Sequence, residues 1–300
     1  MPDISAHQKA AILVEALPYF RRFFGKTMVI KYGGAAMVEE ELKKSFSTDV
    51  ILLQAVGINP IIVHGGGPQI GQVMEQLGME PRFIEGLRVT DDETMNVVEM
   101  VLVGQVNKSI VASINAYGGD AVGLSGKDEG LIRARKLALT RPTEEPGPPE
   151  IIDLGRVGEV EAINPDVLKA LEGSRFIPIV APVGVGEEGE AFNINADHVA
   201  STIAVALGAE RFILLSDVEG ILGRDDALLS TLTRTESERL IAEGVINAGM
   251  VPKVKACLDA LEGGVPKTHI IDGRIPHSLV LELFTDAGIG TEILDKPPDQ

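Results

Sequence analysis

The chain of 300 residues is 45% hydrophobic and 24% charged, with a formal net charge of −17, a composition that can bury one large core or two closely joined ones. So acidic a chain argues against nucleic acid as a partner, because a phosphate backbone is met by a basic surface that releases counterions. No run of about 18 apolar residues marks a membrane span, and the lone cysteine, Cys257, excludes a disulfide framework and fits a reducing, cytoplasmic setting.

Residues 1–25 carry an apolar segment, including Ile12, Leu13, Leu17, Phe20 and Phe23, read as an N-terminal helix that Pro18 should kink. The segment has the form of neither a signal nor a transit peptide. Thereafter strand-like runs at 27–32, 60–64, 121–125, 176–180, 211–215 and 268–272 alternate with helical patterns at 38–55, 68–77, 91–116, 196–207, 235–243 and 250–262. That alternation predicts an α/β fold, a three-layer αβα sandwich with a mainly parallel central sheet. Ligands should gather at the carboxyl ends of its strands. Two stretches, 132–139 and 153–162, alternate apolar and polar residues around a Pro- and Glu-rich tip at 143–149, the pattern of an antiparallel ribbon with a loop. Glu187, Glu188 and Glu190 read as a solvated turn.

Three glycine turns fall at predicted strand exits: VIKYGG with Lys31, Gly33 and Gly34; HGGG with Gly66 and Gly67; and LSDVEGIL with Asp217, Gly220 and Leu222. Glycine lets consecutive backbone N–H groups approach an anion, and Pro68 after HGGG opens a helix whose N-terminus attracts negative charge. Neither GGGPQIGQ nor LSGKDEG supplies the order of a Walker A loop. GVGEEG at 184–189 does match G-x-G-x-x-G, but its glutamates sit where a pyrophosphate would lie and no helix follows, so a dinucleotide fold is set aside. Each turn taken singly is equally a tight chain reversal.

The cations narrow the choice. Lys31 ends an apolar strand, where an unpaired ammonium is costly, and Lys253 falls in the first turn of a helix, beside an unfavourable dipole. Arg88 precedes a helix capped by Thr90 or Asp91 and could fork onto a carboxylate, or make a loop salt bridge. In FNINADHVA, Asn193 and Asn195 share a side of an extended segment, and Asp197 follows near a helix start, where capping alone explains only one of them. His198 has no partner at a catalytic or metal spacing, and the remaining histidines make no zinc signature. Two lysines, one aspartate and glycine turns without a clear nucleophile fit phosphoryl transfer, which rests on positioning and charge neutralisation. A carboxylate acceptor, already ionised at neutral pH, would need no general base.

VIKYGG, HGGGPQIGQ, GLRVTD, VNKSIV, AVGLSGKD, NINAD, LLSDVEGIL and GMVPKVKAC, in this order, resemble the N-acetylglutamate kinases of the amino acid kinase family over nearly the whole chain. The resemblance implies ATP-dependent phosphorylation of the side-chain carboxylate of N-acetyl-L-glutamate, in arginine biosynthesis. It implies that Lys31 and Lys253 stabilise the transferring group, with Asp197 orienting both. Gly66, Gly67, Arg88, Asn193 and Asn195 would serve the acceptor. Gly33 and Gly34 would face the phosphates, and Asp217, Gly220, Leu222 and Asn247 would hold the nucleotide, with Mg2+ carried on ATP and no dedicated metal site. It implies a substrate-binding and dimerisation half at 26–208 and an ATP half at 209–300, meeting near Gly208. The N-terminal segment is similar to the helix that interlaces arginine-inhibited members into a hexamer, a trimer of dimers. HSLVLELFTDAGIGT resembles their arginine site, with His277, Glu282 and Gly288 as ligands. A PII-type signalling protein is a further partner the family implies. Carbamate or aspartate kinases, and a non-catalytic regulatory protein on the same fold, are the competing readings.

Overall fold

The computed structural model describes residues 5–141 and 150–296; the loop expected at 143–149 lies outside them. Eight strands form one sheet: Thr27–Tyr32 (β1), Asn59–His64 (β2), Ala121–Ser125 (β3), Ile177–Ala181 (β4), Arg211–Ser216 (β5), Thr231–Thr233 (β6), Lys267–Asp272 (β7) and Thr291–Leu294 (β8). Their order is β6-β8-β7-β5-β1-β2-β4-β3. The inner strands are parallel, whereas β8 runs antiparallel to β7 and carries β6 with it. The chain leaves β1 toward β2 and later returns to place β5 on the other side of β1. Such a switch point opens a crevice at the carboxyl ends of the strands.

The helices are Ala6–Phe23 (α1), Glu40–Ala55 (α2), Gly67–Gln76 (α3), Asp92–Ala116 (α4), Asp166–Gly173 (α5), Ala196–Ala206 (α6), Arg234–Ala242 (α7), Val251–Glu262 (α8) and Ser278–Leu283 (α9). Alternation along β1 sends Met28, Ile30 and Tyr32 into a core with α2, α3 and α4, and Val29 into a core with α6 and α8. Lys31, two residues beyond Val29, therefore emerges on the α6 and α8 side. A smaller four-stranded sheet, ordered Ala191–Asn193, Val183–Val185, Ile132–Lys136, Gly158–Ile163, hangs at one end of the crevice.

The differences from expectation are local. The ribbon at 132–139 and 153–162 pairs only over Ile132–Lys136 and Gly158–Ile163. A second short pair, Leu139–Arg141 with Glu150–Ile152, extends it. Gly155, at φ 74°, breaks the run between them where the backbone crosses Thr90. The fourth core strand starts one residue late, leaving Phe176 41% exposed, and α1 runs through Pro18 as a single helix. Asp91 alone caps α4, accepting from Thr94 N at 2.8 Å. By length and composition α4 could cross a bilayer, yet its Met95, Val98, Leu102 and Ile114 face is buried in the protein core. Its middle, Met100–Val106, winds as a π-helix.

Candidate active site

Lys31 Nζ lies 3.0 Å from Asp197 Oδ1, and Lys253 Nζ lies 3.0 Å from Asp197 Oδ2. Three elements deliver these groups: the end of β1, the first turn of α6 and the first turn of α8. Asp197 is 6% exposed. Burial alone would raise its carboxyl, but the two ammonium groups outweigh that and hold it below its ordinary value. The aspartate is thereby a fixed anion joining two cations. One negative charge cannot neutralise both, so the cluster carries net positive charge toward the crevice.

The glycines beside it have spatial reasons. A Cβ at Gly33 would stand 2.7 Å from Lys31 Nζ. Gly34, at φ 69°, adopts a left-handed conformation, and a Cβ there would strike the Asp217 carboxylate. The turn after β1 is thus packed on the turn after β5. Gly220 is held similarly close: Ile221 N donates to Thr291 Oγ1 at 2.8 Å, tying the Asp217–Leu222 turn to β8. Asn247 accepts from Met250 N at 3.0 Å and so shapes the turn that leads into α8 and Lys253.

On the other side, a cavity of about 220 Å³ is lined by Gly66, Gly67, Arg88, Asn193 and Asn195 among others. All five residues expected at an acceptor site therefore line one space. Arg88 is 9% exposed. Its guanidinium donates to the Gly67 carbonyl at 3.1 Å and covers the Phe83 ring at 4.7 Å, and burial pushes it down from its ordinary value. Asn193 Nδ2 donates to Thr90 Oγ1 at 3.3 Å. Asn195 also caps α6, accepting from Asp197 N at 2.8 Å and His198 N at 3.3 Å, so it aims the aspartate as well as lining the cavity. A Cβ at Gly66 would meet Leu102 Cδ2 at 2.5 Å. Pro68 is the second residue of α3, with Gly66 as the cap.

The expected trio near the C-terminus is split. Glu282 and Gly288 line a second cavity, of about 330 Å³, with Tyr19, His269 and Asp286. His277 does not join them: its Nδ1 pairs with Asp49 of α2 at 2.6 Å and its N–H donates to Ser45 Oγ at 2.5 Å. The imidazole beside Glu282 is instead His269, at 2.7 Å. The physical reason is the tight turn before α9, where His277 sits at φ 60° and faces back to α2. A lone histidine in a strand such as KTHIID carried no separate signal. Tyr19 donates to Asp286, and Phe20 packs edge-on against Phe284, so α1 closes over this cavity. Asn107, buried with His64, is another residue that sequence reasoning left without a role.

Residues 26–272 match the model of the amino acid kinase family. The acetylglutamate kinase of Solidesulfovibrio magneticus is 58% identical over 97% of each chain. Among solved structures, the N-acetylglutamate synthase of Neisseria gonorrhoeae complexed with coenzyme A and N-acetyl-glutamate superposes at a TM-score of 0.83 and 27% identity. The match covers 96% of this chain and 64% of that one. The same synthase complexed with coenzyme A and L-arginine gives a TM-score of 0.78 at 26% identity, covering 96% of this chain and 65% of that one.

Proposed function

This chain belongs to the amino acid kinase family, and we propose that it transfers the γ-phosphoryl group of ATP to the side-chain carboxylate of N-acetyl-L-glutamate. The observation that carries the reading is the Lys31, Asp197 and Lys253 cluster beside a cavity lined by Gly66, Gly67, Arg88 and Asn193, in a chain 56–58% identical to acetylglutamate kinases over nearly its full length.

The chemistry follows from the charges. A side-chain carboxylate oxygen attacks the γ-phosphorus, an O–P bond forms, the bond to the β,γ-bridging oxygen breaks, and ADP leaves with that electron pair. No proton moves at the nucleophile, because the acceptor is ionised at neutral pH. Negative charge spreads over the transferring oxygens, where the Lys31 and Lys253 ammonium groups neutralise it. Asp197 keeps both lysines within reach. Arg88 pairs with the α-carboxylate of the acceptor, Asn193 hydrogen-bonds it, and Asp217, Gly220, Leu222 and Asn247 cradle the nucleotide. Magnesium arrives on the ATP phosphates as part of that substrate.

Two regulatory features belong to this reading. The cavity at Glu282, His269, Asp286, Gly288 and Tyr19 suits arginine, its carboxylates matching the guanidinium and α-ammonium; the arginine-bound synthase supports this. Arginine between micromolar and millimolar should depress turnover, and Glu282→Ala should relieve it. Along α1, Ile12, Leu13 and Val14 are exposed, a patch suited to cover by a second copy in a hexamer, a trimer of dimers; molar mass from light scattering tests this. The function is tested by incubating the chain with MgATP, hydroxylamine and a panel of acids. Hydroxamate with N-acetylglutamate, lost in Lys31→Ala, supports the reading; signal with aspartate alone, or ADP release without any acid, overturns it.

A further inference from the structure

Behind the glycine turn lies a buried polar network that the reaction as described does not use. His64 ends β2 immediately before Gly65, Gly66 and Gly67, and both His64 and Asn107 are 0% exposed. His64 Nδ1 is 2.7 Å from the carbonyl of Gly65. A carbonyl can only accept, so Nδ1 carries the proton and Nε2 is bare. Asn107 Nδ2, at 3.2 Å, donates to that bare nitrogen. The same amide nitrogen reaches the Ile179 carbonyl at 2.8 Å and the Leu124 carbonyl at 3.3 Å. Its oxygen accepts from Lys108 Nζ at 3.1 Å. The four contacts fix the orientation of the amide, since turning it over would set its oxygen against two carbonyls. Asn107 thereby ties β2, β4 and β3 together at the foot of the glycine turn. Gly123 leaves the room, because a Cβ there would strike the Asn107 side chain. The π-helical stretch ends at Val106, directly before Asn107, and such wide turns are a recurrent feature of functional sites.

We infer that His64 and Asn107 are positioning residues that aim the Gly66 N–H at the reacting groups. The peptide between Gly65 and Gly66 is planar and trans, so its carbonyl and its N–H point in opposite directions. Pinning the Gly65 carbonyl to His64 turns the Gly66 N–H away from the imidazole. Gly65, Gly66 and Gly67 all line the acceptor cavity. Gly65 N also donates to the Tyr32 carbonyl at 2.8 Å, which anchors the other end of the same residue next to Lys31. A preorganised donor of this kind pays no reorganisation cost during transfer. Burial, together with the nearby Lys108 ammonium, pushes the His64 imidazole down to about 4, against the hydrogen bond to Gly65. It therefore stays neutral, and no proton shuttle is implied.

The inference rests on the kinase reading above, and the test separates the two. Asparagine places an amide nitrogen where Nδ1 stands, whereas glutamine places an amide oxygen where Nε2 stands. H64Q keeps the Asn107 contact and loses the grip on Gly65; H64N does the reverse. The expected result is a kcat about 10- to 100-fold lower in H64Q, rescued to within about 3-fold in H64N, with both KM values changed less than about 3-fold. Equal losses in the two variants, or losses that follow their melting temperatures, overturn the inference. Ring-nitrogen NMR of the full chain decides independently of activity. Neutral His64 with Nδ1–H between about pH 5 and 8 supports it, and an imidazolium near pH 6 or the Nε2–H form overturns it. Absence of N-acetylglutamate-dependent turnover in the wild type would overturn the kinase reading while leaving the NMR result decisive for His64.

Discussion

Asp197 and Asp49 are both buried, at 6% and 2% exposure, yet their surroundings drive them in opposite directions. Asp197 meets two ammonium groups at 3.0 Å and is held below its ordinary value. Asp49 lies in α2 and accepts from His277 Nδ1 at 2.6 Å and from the backbone of Leu279 and Val280. One imidazole does not offset its burial, which pushes it up to about 6. Burial is common to both; the number of cations facing each carboxylate decides the outcome. The first cluster is one anion shared by two cations, the second a tie between α2 and the start of α9.

The comparison breaks hardest at the lysines. Lys31→Ala leaves Asp197 with one partner and the transferring group with one cation, and turnover should fall about 10³-fold in the hydroxamate assay. Asp197→Asn comes next: the buried Lys31 ammonium and the half-buried Lys253 ammonium lose their shared anion. A turnover loss of about 10²-fold and destabilisation of about 3 kcal/mol are expected, read by steady-state kinetics and denaturant melts. Gly66→Ala sets a methyl against Leu102, and about 10-fold loss in kcat/KM for the acceptor is expected, with the ATP KM moved less. An ATP effect exceeding the acceptor effect would contradict the assignment of that turn.

The smallest effect sharpens the contrast through pH. Asp49, with a folded value raised to about 6, holds its proton longer folded than unfolded. Stability must therefore fall as pH rises from about 4 to 6, by at most about 3 kcal/mol. Asp197, with a lowered value, has the opposite sign: its stabilisation is present above about pH 4 and is lost as pH falls through the folded value. Unfolding free energies of wild type and Asp49→Asn, subtracted at pH 4.5 and 7, should show the Asp49 slope vanish in the variant. A difference independent of pH would refute the raised value.

Most of the architecture was readable because the buried strands are continuous apolar runs and the helices keep helical spacing. Lys31 and Lys253 stood out for a physical reason, since each sits where an isolated charge is costly; Asp197 stood out because helix capping accounts for it or for Asn195 but not for both. The short strands β6 and β8 did not, since strands of three and four residues carry too few residues for a period. The exchange of His277 for His269 was equally hidden. One side chain turns inward only because β7 pairs with β8, and the other turns away only because the chain reverses at φ 60°. His64 and Asn107 lie 43 residues apart, and only the folded sheet reveals that the amide faces the imidazole.

The central claim is that the paired ammonium groups act on the group in flight, more than on either bound substrate. Its most direct measurement is the separation of kcat from KM in Lys253→Ala at saturating MgATP and N-acetylglutamate. The account predicts kcat reduced by about 10² to 10³ with both KM values within about 3-fold of wild type. An unchanged kcat, with the whole loss in KM, would contradict it.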